Sequence, residues 1–367
     1  MSKETPPGDD ELEVSLVGPG RGESIIIHIG SNEWAIVDSC IPRGTARAAA
    51  LDYLSSLGVD PSTQVRLVVA THWHDDHIRG LAEIVKVAKS ARFVCSSAIQ
   101  SQQFFELVEI AKANPGGTGG LTEFGAILNH LEGKTSPTWA IENRELFAAV
   151  SPNRAFPVNI RSLSPSDQSV TKALQELGSL IPTAGKPLVV ESENPNHTSV
   201  VLWLEASGKH VLLGADLQNS TVNGRGWSAV VAAHAGRGGA GIYKIPHHGS
   251  SNADNDDIWA TMVQTNAIAA VAPYNGGKWL PSKADRQRLL SRTSHVYCTA
   301  KEASAPPKRP QFVEKRVREF TKQRRVVVGP PGHLRIRWRV CSPNSVPTVE
   351  MFDGAHRLEA EPAGTTA

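Results

Sequence analysis

The chain has 367 residues, 40% of them hydrophobic, so it is long enough to bury one large core or two ordinary ones. Its 38 Lys and Arg residues nearly balance 36 Asp and Glu residues. The resulting formal charge of +2 excludes a protein that is basic over its whole surface, so any basic surface must be local.

The cysteine and hydrophobic patterns indicate the compartment. The four cysteines show no C-x-x-C spacing, which argues against a disulfide framework or a cysteine zinc site. The first residues are polar and acidic, and no apolar stretch approaches the roughly 18–20 residues that span a bilayer. We therefore expect a cytoplasmic protein without a membrane partner.

The first seventy residues predict a hairpin, a helix and a strand. Residues 24–29 and 34–37 are short β-branched runs separated by a turn sequence. Residues 44–57 have apolar side chains at helical spacing, and residues 65–70 form an apolar strand. This strand runs directly into T-H-W-H-D-D-H at 71–77.

The T-H-W-H-D-D-H segment is the strongest signal in the chain. In an extended segment His72 and His74 point the same way, and a turn at Asp75 brings Asp76 and His77 next to them. Imidazole and carboxylate ligands without thiolates suit zinc, iron or manganese, and such a set is more typical of a catalytic site than of a closed structural zinc site. We interpret the segment as a catalytic metal loop.

The remaining strands of the first 300 residues also end in histidine or aspartate. Residues 101–190 are predicted to be an insertion that borders the site, with helices at 102–113 and 168–180. After it, predicted strands at 199–205 and 210–214 lead to Asp216, and a strand at 241–245 leads to P-H-H-G-S. Polar residues at several strand ends predict a shared site.

Together these motifs resemble the signature of the metallo-β-lactamase fold superfamily. His72-x-His74-x-Asp76-His77 matches its central motif, and Asp38 in A-I-V-D-S matches its early aspartate. The later motifs N-x-x-S-V-V-L-x-L, L-L-G-A-D and K-I-P-H-H-G-S resemble the metallo-hydrolase domain of ComEC-type DNA-uptake channels and its free-standing relatives.

The resemblance implies an α+β fold of the αββα type, with two mixed sheets flanked by helices. It also implies two divalent ions, with zinc favoured and manganese as the alternative, that share a bridging hydroxide. Site one would comprise His72, His74 and His197; site two Asp76, His77 and one histidine of the pair His247 and His248; Asp216 would bridge, and Asp38 would orient the 71–77 loop.

Two assignments stay open in the sequence. Many members of the ComEC-like branch have another residue where His197 stands, so His197 either binds metal or lines the site. Either His247 or His248 is the ligand, and the other holds a substrate phosphate or donates a proton. We predict Asp76, His247 and His248 as the catalytic residues.

The C-terminal region is basic. We divide the chain into a hydrolase domain at 1–300 and an extension at 301–367 that completes or packs on the sandwich. Arg335, Arg337 and Arg339 alternate, so they share one face of a strand; this face either follows a phosphate backbone, with Trp338 and Phe320 near the bases, or is solvated surface. Further basic residues are Lys301, Lys308, Arg309, Lys315, Arg316, Arg318, Lys322, Arg324 and Arg325.

The expected function is a metal-dependent phosphodiesterase, most concretely a DNA or RNA nuclease, with nucleic acid or another phosphodiester as substrate. A hydrolase of small esters, lactones or thioesters is the first alternative, because the same metal pair attacks a carbonyl. A non-catalytic nucleic-acid-binding partner is the second. The oligomeric state is left open by the sequence.

Overall fold

The computed structural model describes residues 3–19, 22–42, 44–113, 119–180, 195–274, 278–302, 312–313, 316 and 331–360. Its strands are β1 Glu11–Gly18, β2 Ser24–His28, β3 Trp34–Val37, β4 Val65–Ala70, β5 Arg92–Ser96, β6 Thr138–Ala140, β7 Glu145–Ala149, β8 Val158–Ser162, β9 Leu202–Ala206, β10 Lys209–Leu213, β11 Ala240–Lys244, β12 Val263–Val271, β13 Val296–Cys298, β14 Gly332–Arg339, β15 Thr348–Phe352 and β16 His356–Arg357.

The helices are α1 Ala49–Ser56, α2 Pro61–Gln64, α3 Asp75–Ile78, α4 Leu81–Val87, α5 Gln102–Ala113, α6 Gly119–Leu131, α7 Asp167–Leu180, α8 Gly226–His234, α9 Asp256–Thr261 and α10 Lys283–Arg292. The hairpin predicted at 24–37 is β2 and β3, and the predicted metal loop follows β4. The helix predicted at 44–57 is shorter, because it begins at Ala49.

The strands form two mixed sheets of eight strands each. The first has the order β15-β14-β1-β2-β3-β4-β5-β6, and the second has the order β16-β13-β12-β11-β10-β9-β8-β7. In each sheet antiparallel pairs adjoin a parallel run, which is β3 to β6 in the first and β10 to β13 in the second.

Three hydrophobic layers confirm the predicted αββα sandwich. Side chains from both sheets, such as Val14 and Leu204, form the central layer. The outer face of the first sheet packs against α1, α4, α5 and α6, and the outer face of the second packs against α8, α9 and α10. Strand β4 is buried on both faces, which explains its unbroken apolar sequence.

The parallel runs place several strand ends at one edge of the sandwich. Strands β3 and β4 are parallel neighbours in the first sheet, and β10 and β11 are parallel neighbours in the second. Neighbouring parallel strands end at the same edge, and open α/β sheets commonly bind ligands outside such carboxyl ends. The loops after these four strands carry Asp38, the 71–77 segment, Asp216 and the histidine pair.

The segments outside the central motifs also enter the sheets. Within residues 101–190, β6 extends the first sheet and β7 and β8 extend the second. At the C-terminus, β14 pairs with β1 and β15 pairs with β14, while β16 pairs with β13. All four cysteines are free thiols. In the described part of the chain, no helix is both long and apolar enough to cross a bilayer.

The three arginines of β14 share one face, as predicted, but two of them are buried. Arg335 is 0% exposed; its Nε lies 2.6 Å from Glu350 and its Nη1 donates to the Lys3 carbonyl. Arg337 is 6% exposed and its Nε lies 2.8 Å from Glu13.

This burial corrects the prediction of a substrate-binding or solvated arginine face. The carboxylates of neighbouring strands and the N-terminal segment occupy the guanidinium groups of Arg335 and Arg337. Arg339 has a 70% exposed side chain, with its Nε 3.4 Å from Glu11. Trp338, proposed for base contacts, lies in the central layer with 4% exposure.

Much of the predicted basic region lies outside the described residues. This holds for Lys308, Arg309, Lys315, Arg318, Phe320, Lys322, Arg324 and Arg325, whereas Lys301 and Arg316 are described and exposed.

Arg337→Met tests the buried pair. The variant keeps an apolar stem but leaves the Glu13 carboxylate buried without its counter-charge, so we expect the free energy of unfolding to fall by about 3 kcal/mol. Arg339→Gln, at the exposed end of the same face, is the control and should change it by less than about 0.5 kcal/mol. Equal losses in urea unfolding would contradict the structural role of Arg337.

Candidate metal centre

Six side chains converge where the two parallel runs end. We call them the His-Asp cluster: His72, His74, Asp76, His77, Asp216 and His248. The ligand atoms of His72, His77 and Asp216 lie within 4.8 Å of one another, and so do those of Asp76, His77 and His248. Both groups contain His77, so they adjoin at that residue.

Short distances define the centre of the cluster. Asp216 Oδ2 lies 3.3 Å from His77 Nε2 and 3.5 Å from His248 Nε2. Asp76 Oδ2 lies 3.3 Å from His248 Nε2, and His72 Nε2 lies 3.1 Å from His74 Nδ1. Asp216 therefore lies near His77 and His248, and it also shares a candidate ligand group with His72.

Hydrogen bonds on the far side of three rings fix which nitrogen faces the cluster. Asp38 Oδ2 lies 2.7 Å from His77 Nδ1, and the Ala272 carbonyl lies 3.0 Å from His248 Nδ1. Thr71 Oγ1 donates to Asp38, so its lone pair can accept from His72 Nδ1 at 2.9 Å. Each ring thus directs Nε2 inward, the arrangement that metal-binding histidines usually have.

Asp38 holds the loop in the way the sequence predicts. Besides the contact with His77, its carboxylate accepts hydrogen bonds from the backbone N–H and the hydroxyl of Thr71, at 2.8 and 2.7 Å. Asp38 is 2% exposed and adopts a left-handed backbone with φ of 58°. Such strained backbone is often concentrated at functional sites.

Burial and neighbouring charges act against each other in the cluster. Burial lowers the pKa of His72 well below its usual value, so this imidazole is in the neutral, metal-binding form. Burial alone would raise the pKa of Asp216, but His77 and His248 outweigh it and hold this pKa well below the usual value. Burial would lower the pKa of His77, but Asp216 and Asp38 outweigh it and raise this pKa well above its usual value.

The donor chemistry fits divalent metals. His77 Nε2 and Asp216 Oδ1 are buried and have no hydrogen-bond partner within the described ranges, which is costly unless a ligand satisfies them. The set consists of imidazole nitrogens and carboxylate oxygens without a thiolate, as in catalytic zinc or manganese sites.

The structure separates the two adjacent histidines. His248 is buried, belongs to the cluster and stacks on Tyr274 at 5.2 Å. His247 is half-buried outside the two ligand groups, with Nδ1 2.8 Å from Asn252 Oδ1 and Nε2 3.3 Å from Asn196 Nδ2. The geometry therefore favours His248 as the ligand and leaves His247 beside the cluster.

His197 is not brought to the cluster. The short 3-10 helix Pro195–Thr198 turns Asn196 inward, where it is 3% exposed and contacts His247. His197, the next residue, is exposed and lines a neighbouring cavity. This placement corrects the assignment of His197 to the first metal site: Asn196 points toward the site instead. In the sequence, the only indication of a role for Asn196 was its place in the motif N-x-x-S.

A family model of the metallo-beta-lactamase superfamily matches residues 17–258. The chain belongs to this superfamily. Members of the superfamily are largely metal-dependent hydrolases. No curated protein matches the chain in sequence.

Three solved structures to which the chain is similar are the following. The metallo-beta-lactamase fold protein YhfI from Bacillus subtilis is 14% identical with a TM-score of 0.38, and the match covers 81% of this chain and 98% of that chain. MEM-A1, a subclass B3 metallo-beta-lactamase from a soil metagenome library, is 12% identical with a TM-score of 0.34 and coverages of 68% and 83%. A HARLDQ-motif mutant metallo-beta-lactamase from Cronobacter sakazakii is 15% identical with a TM-score of 0.32 and coverages of 63% and 75%.

A buried ion pair behind the cluster is not evident from the sequence. Lys244 and Glu23 are each about 2% exposed and form a direct ion pair. Lys244 Nζ also donates to the Ala215 carbonyl at 3.0 Å and lies 3.9 Å from Asp216 Oδ1. Burial lowers the pKa of Lys244, but Glu23 and Asp216 outweigh it, so the ammonium stays charged.

Glu23 reaches this position through the turn between β1 and β2. Its backbone N–H donates to the Asp76 carbonyl at 3.0 Å. The neighbouring Gly22 has φ of 118°, and a Cβ there would lie 1.7 Å from that carbonyl oxygen. Only glycine permits this close approach.

Alanine replacements distinguish the histidine pair. His248→Ala removes an inward Nε2, so we expect loss of about one of two bound divalent ions per chain, measured by elemental analysis of the dialysed protein. His247→Ala should retain both ions, because its contacts are to amide side chains outside the cluster. Loss of metal from His247→Ala alone would reverse this assignment.

A double-mutant cycle tests the ion pair behind the cluster. Lys244→Met leaves Glu23 buried without a counter-charge, and we expect the free energy of unfolding to fall by about 3 kcal/mol. Adding Glu23→Gln removes that charge and should restore much of the loss. A double variant as unstable as the sum of the two single variants would show that the pair is not coupled.

Proposed function

We propose that this protein is a hydrolase that uses two divalent ions to cleave phosphodiesters, with nucleic acid as the preferred substrate class. The His-Asp cluster would hold the ions, with Asp216 between them and zinc favoured over manganese. When bound, such ions supply the charge that activates water and stabilises a phosphoryl group. The proposal includes a cytoplasmic location, where the four free thiols would stay reduced.

The observation that carries the phosphodiester proposal is the set of hydrogen-bond donors and cations beside the cluster. Asn196 Nδ2 faces the site, and His247 lies next to it. The adjoining cavity presents Lys172 and Arg225. A phosphodiester is anionic before and during hydrolysis, so it gains from these groups, whereas a neutral ester gains little.

The side chains around the cluster have distinct tasks in this proposal. His247 is held at Nδ1 by Asn252, so Nε2 is the atom that can exchange a proton with a leaving oxygen. In this proposal a substrate oxygen would replace the 3.3 Å contact between Asn196 Nδ2 and His247 Nε2. Asp76, with a 24% exposed side chain, is the cluster carboxylate most accessible to water.

The sequence supports nucleic acid over other phosphodiesters. The motifs around Asn196, Asp216 and His248 resemble those of ComEC-type metallo-hydrolase domains, which act in DNA uptake. Because Arg335 and Arg337 are buried, they do not form a surface that binds a phosphate backbone. Support for a polymer substrate therefore comes from these motifs and from the groups beside the cluster.

A substrate panel tests the proposal. Metal-loaded protein should hydrolyse bis-p-nitrophenyl phosphate and single-stranded DNA or RNA, and a chelator should abolish both activities until divalent metal is restored. His247→Ala should lower kcat by about 10²-fold with both ions retained. Binding to nucleic acid should weaken steeply with salt.

The same substrate panel also tests the two alternative functions. Turnover of a lactone, thioester or β-lactam without turnover of any phosphodiester would establish the small-ester alternative. Salt-sensitive nucleic-acid binding by metal-loaded protein without turnover of any substrate would establish a non-catalytic binding partner. Arg339→Gln serves as the control variant, because this exposed residue pairs with Glu11 and lies outside the cluster.

A further inference from the structure

A cavity of about 360 Å³ adjoins the His-Asp cluster. We call it the α7 cavity, because Ser169, Lys172, Ala173, Glu176 and Leu177 on one face of α7 form a wall of it. The opposite walls come from Trp73, from the turn at 98–99, from the 3-10 helix Pro195–Thr198 and from the loop at 219–225. The volume is in the range of small-molecule sites.

The α7 cavity is next to the cluster through two shared segments. Trp73 lies between His72 and His74 in the chain, with its ring centroid 6.1 Å from that of His74. Pro195 and His197 flank Asn196, which faces His247. One part of a substrate could therefore bind in the cavity while its scissile bond lies at the cluster.

The lining combines apolar surface with positive charge. Trp73, Ile99 and Leu177 offer apolar surface, and Ser220 and Thr221 offer hydroxyls. Arg225 lines the cavity, and its Nε is buried with no hydrogen-bond partner among the residues the structure describes.

Lys172 is the second cation of the cavity. Its ammonium lies 2.5 Å from Glu176, which offsets one of the two positive charges. Arginine is well suited to phosphate, because its planar fork of donors matches phosphate oxygens. The lining therefore fits a ligand with a flat apolar part and a phosphate group.

We propose that the α7 cavity binds the nucleotide adjacent to the scissile phosphodiester, with its nucleoside against the apolar wall and its second phosphate on Arg225 and Lys172. This inference rests on the proposed phosphodiesterase function and names its substrate more closely. A cavity of this size holds one nucleotide unit, which a base-paired strand cannot insert without unpairing. The preferred substrate is then single-stranded, with at least one phosphate beyond the one that is cleaved.

Two chromogenic substrates test the proposal with the metal-loaded protein. Both are thymidine 5′-(p-nitrophenyl phosphate); one has a 3′-hydroxyl and the other a 3′-phosphate. They share the scissile bond and leaving group, so their ratio of kcat/KM reports only the second phosphate. We expect the 3′-phosphate to raise kcat/KM by about tenfold, mainly through KM.

Variants of the cavity should remove this preference. Arg225→Gln keeps a donor but removes the charge, so the ratio should fall to near one. Ala173→Phe adds bulk to the α7 wall and should weaken use of both nucleoside substrates relative to bis-p-nitrophenyl phosphate. Lys89→Gln is the control: this exposed residue precedes β5, at the opposite end of that strand from the site, and should leave the ratio unchanged.

Calorimetry with thymidine 3′,5′-bisphosphate separates failure of the cavity from failure of the proposed function. About tenfold weaker binding to Arg225→Gln than to Lys89→Gln supports the cavity, even if no phosphodiester is hydrolysed. Hydrolysis of both chromogenic substrates with a ratio near one, and equal binding by the two variants, overturns the cavity and leaves the phosphodiesterase standing. If the protein neither binds the bisphosphate nor hydrolyses either chromogenic substrate, both the cavity and the phosphodiesterase proposals are overturned.

Discussion

The Asp38 carboxylate is the contact on which the geometry of the site depends. It lies at the end of β3, and it accepts hydrogen bonds from Thr71 and His77, which belong to the loop after the parallel neighbour β4. Through Thr71 it also fixes the ring of His72. One buried side chain therefore sets the direction of two imidazoles, and the second sheet places Asp216 and His248 against them.

The second sheet contributes charge as well as ligands. Asp216 and His248 follow the parallel strands β10 and β11, while Lys244 at the end of β11 forms its ion pair with Glu23 from the first sheet. Buried charges are tolerated only when they are paired, and this pair lies directly behind Asp216. The two sheets are thus joined at the site by electrostatic contacts in addition to the apolar layer between them.

The residues that would recognise substrate in the proposed function come from outside the strands that hold the cluster. Helix α7 and the loop at 219–225 form much of the α7 cavity, and Asn196 and His247 border the cluster beside it. The sheet edge supplies the chemistry of the superfamily, whereas these segments would select the substrate. This division is common in enzymes, because loops can vary without loss of the core that positions the catalytic groups.

The sequence by itself determined the segments of the site, because apolar strands that end in histidine or aspartate predict a shared site at their ends, and the resemblance of these motifs to the metallo-β-lactamase superfamily implied the αββα fold. Strand periodicity also put Arg335, Arg337 and Arg339 on one face. Only the tertiary structure decided that Glu13 and Glu350 cover two of these arginines, because the partners come from other strands of the sheet. It likewise placed His248 rather than His247 in the cluster and Asn196 rather than His197 toward it, because the direction of neighbouring side chains in a tight turn depends on backbone angles that residue type does not specify.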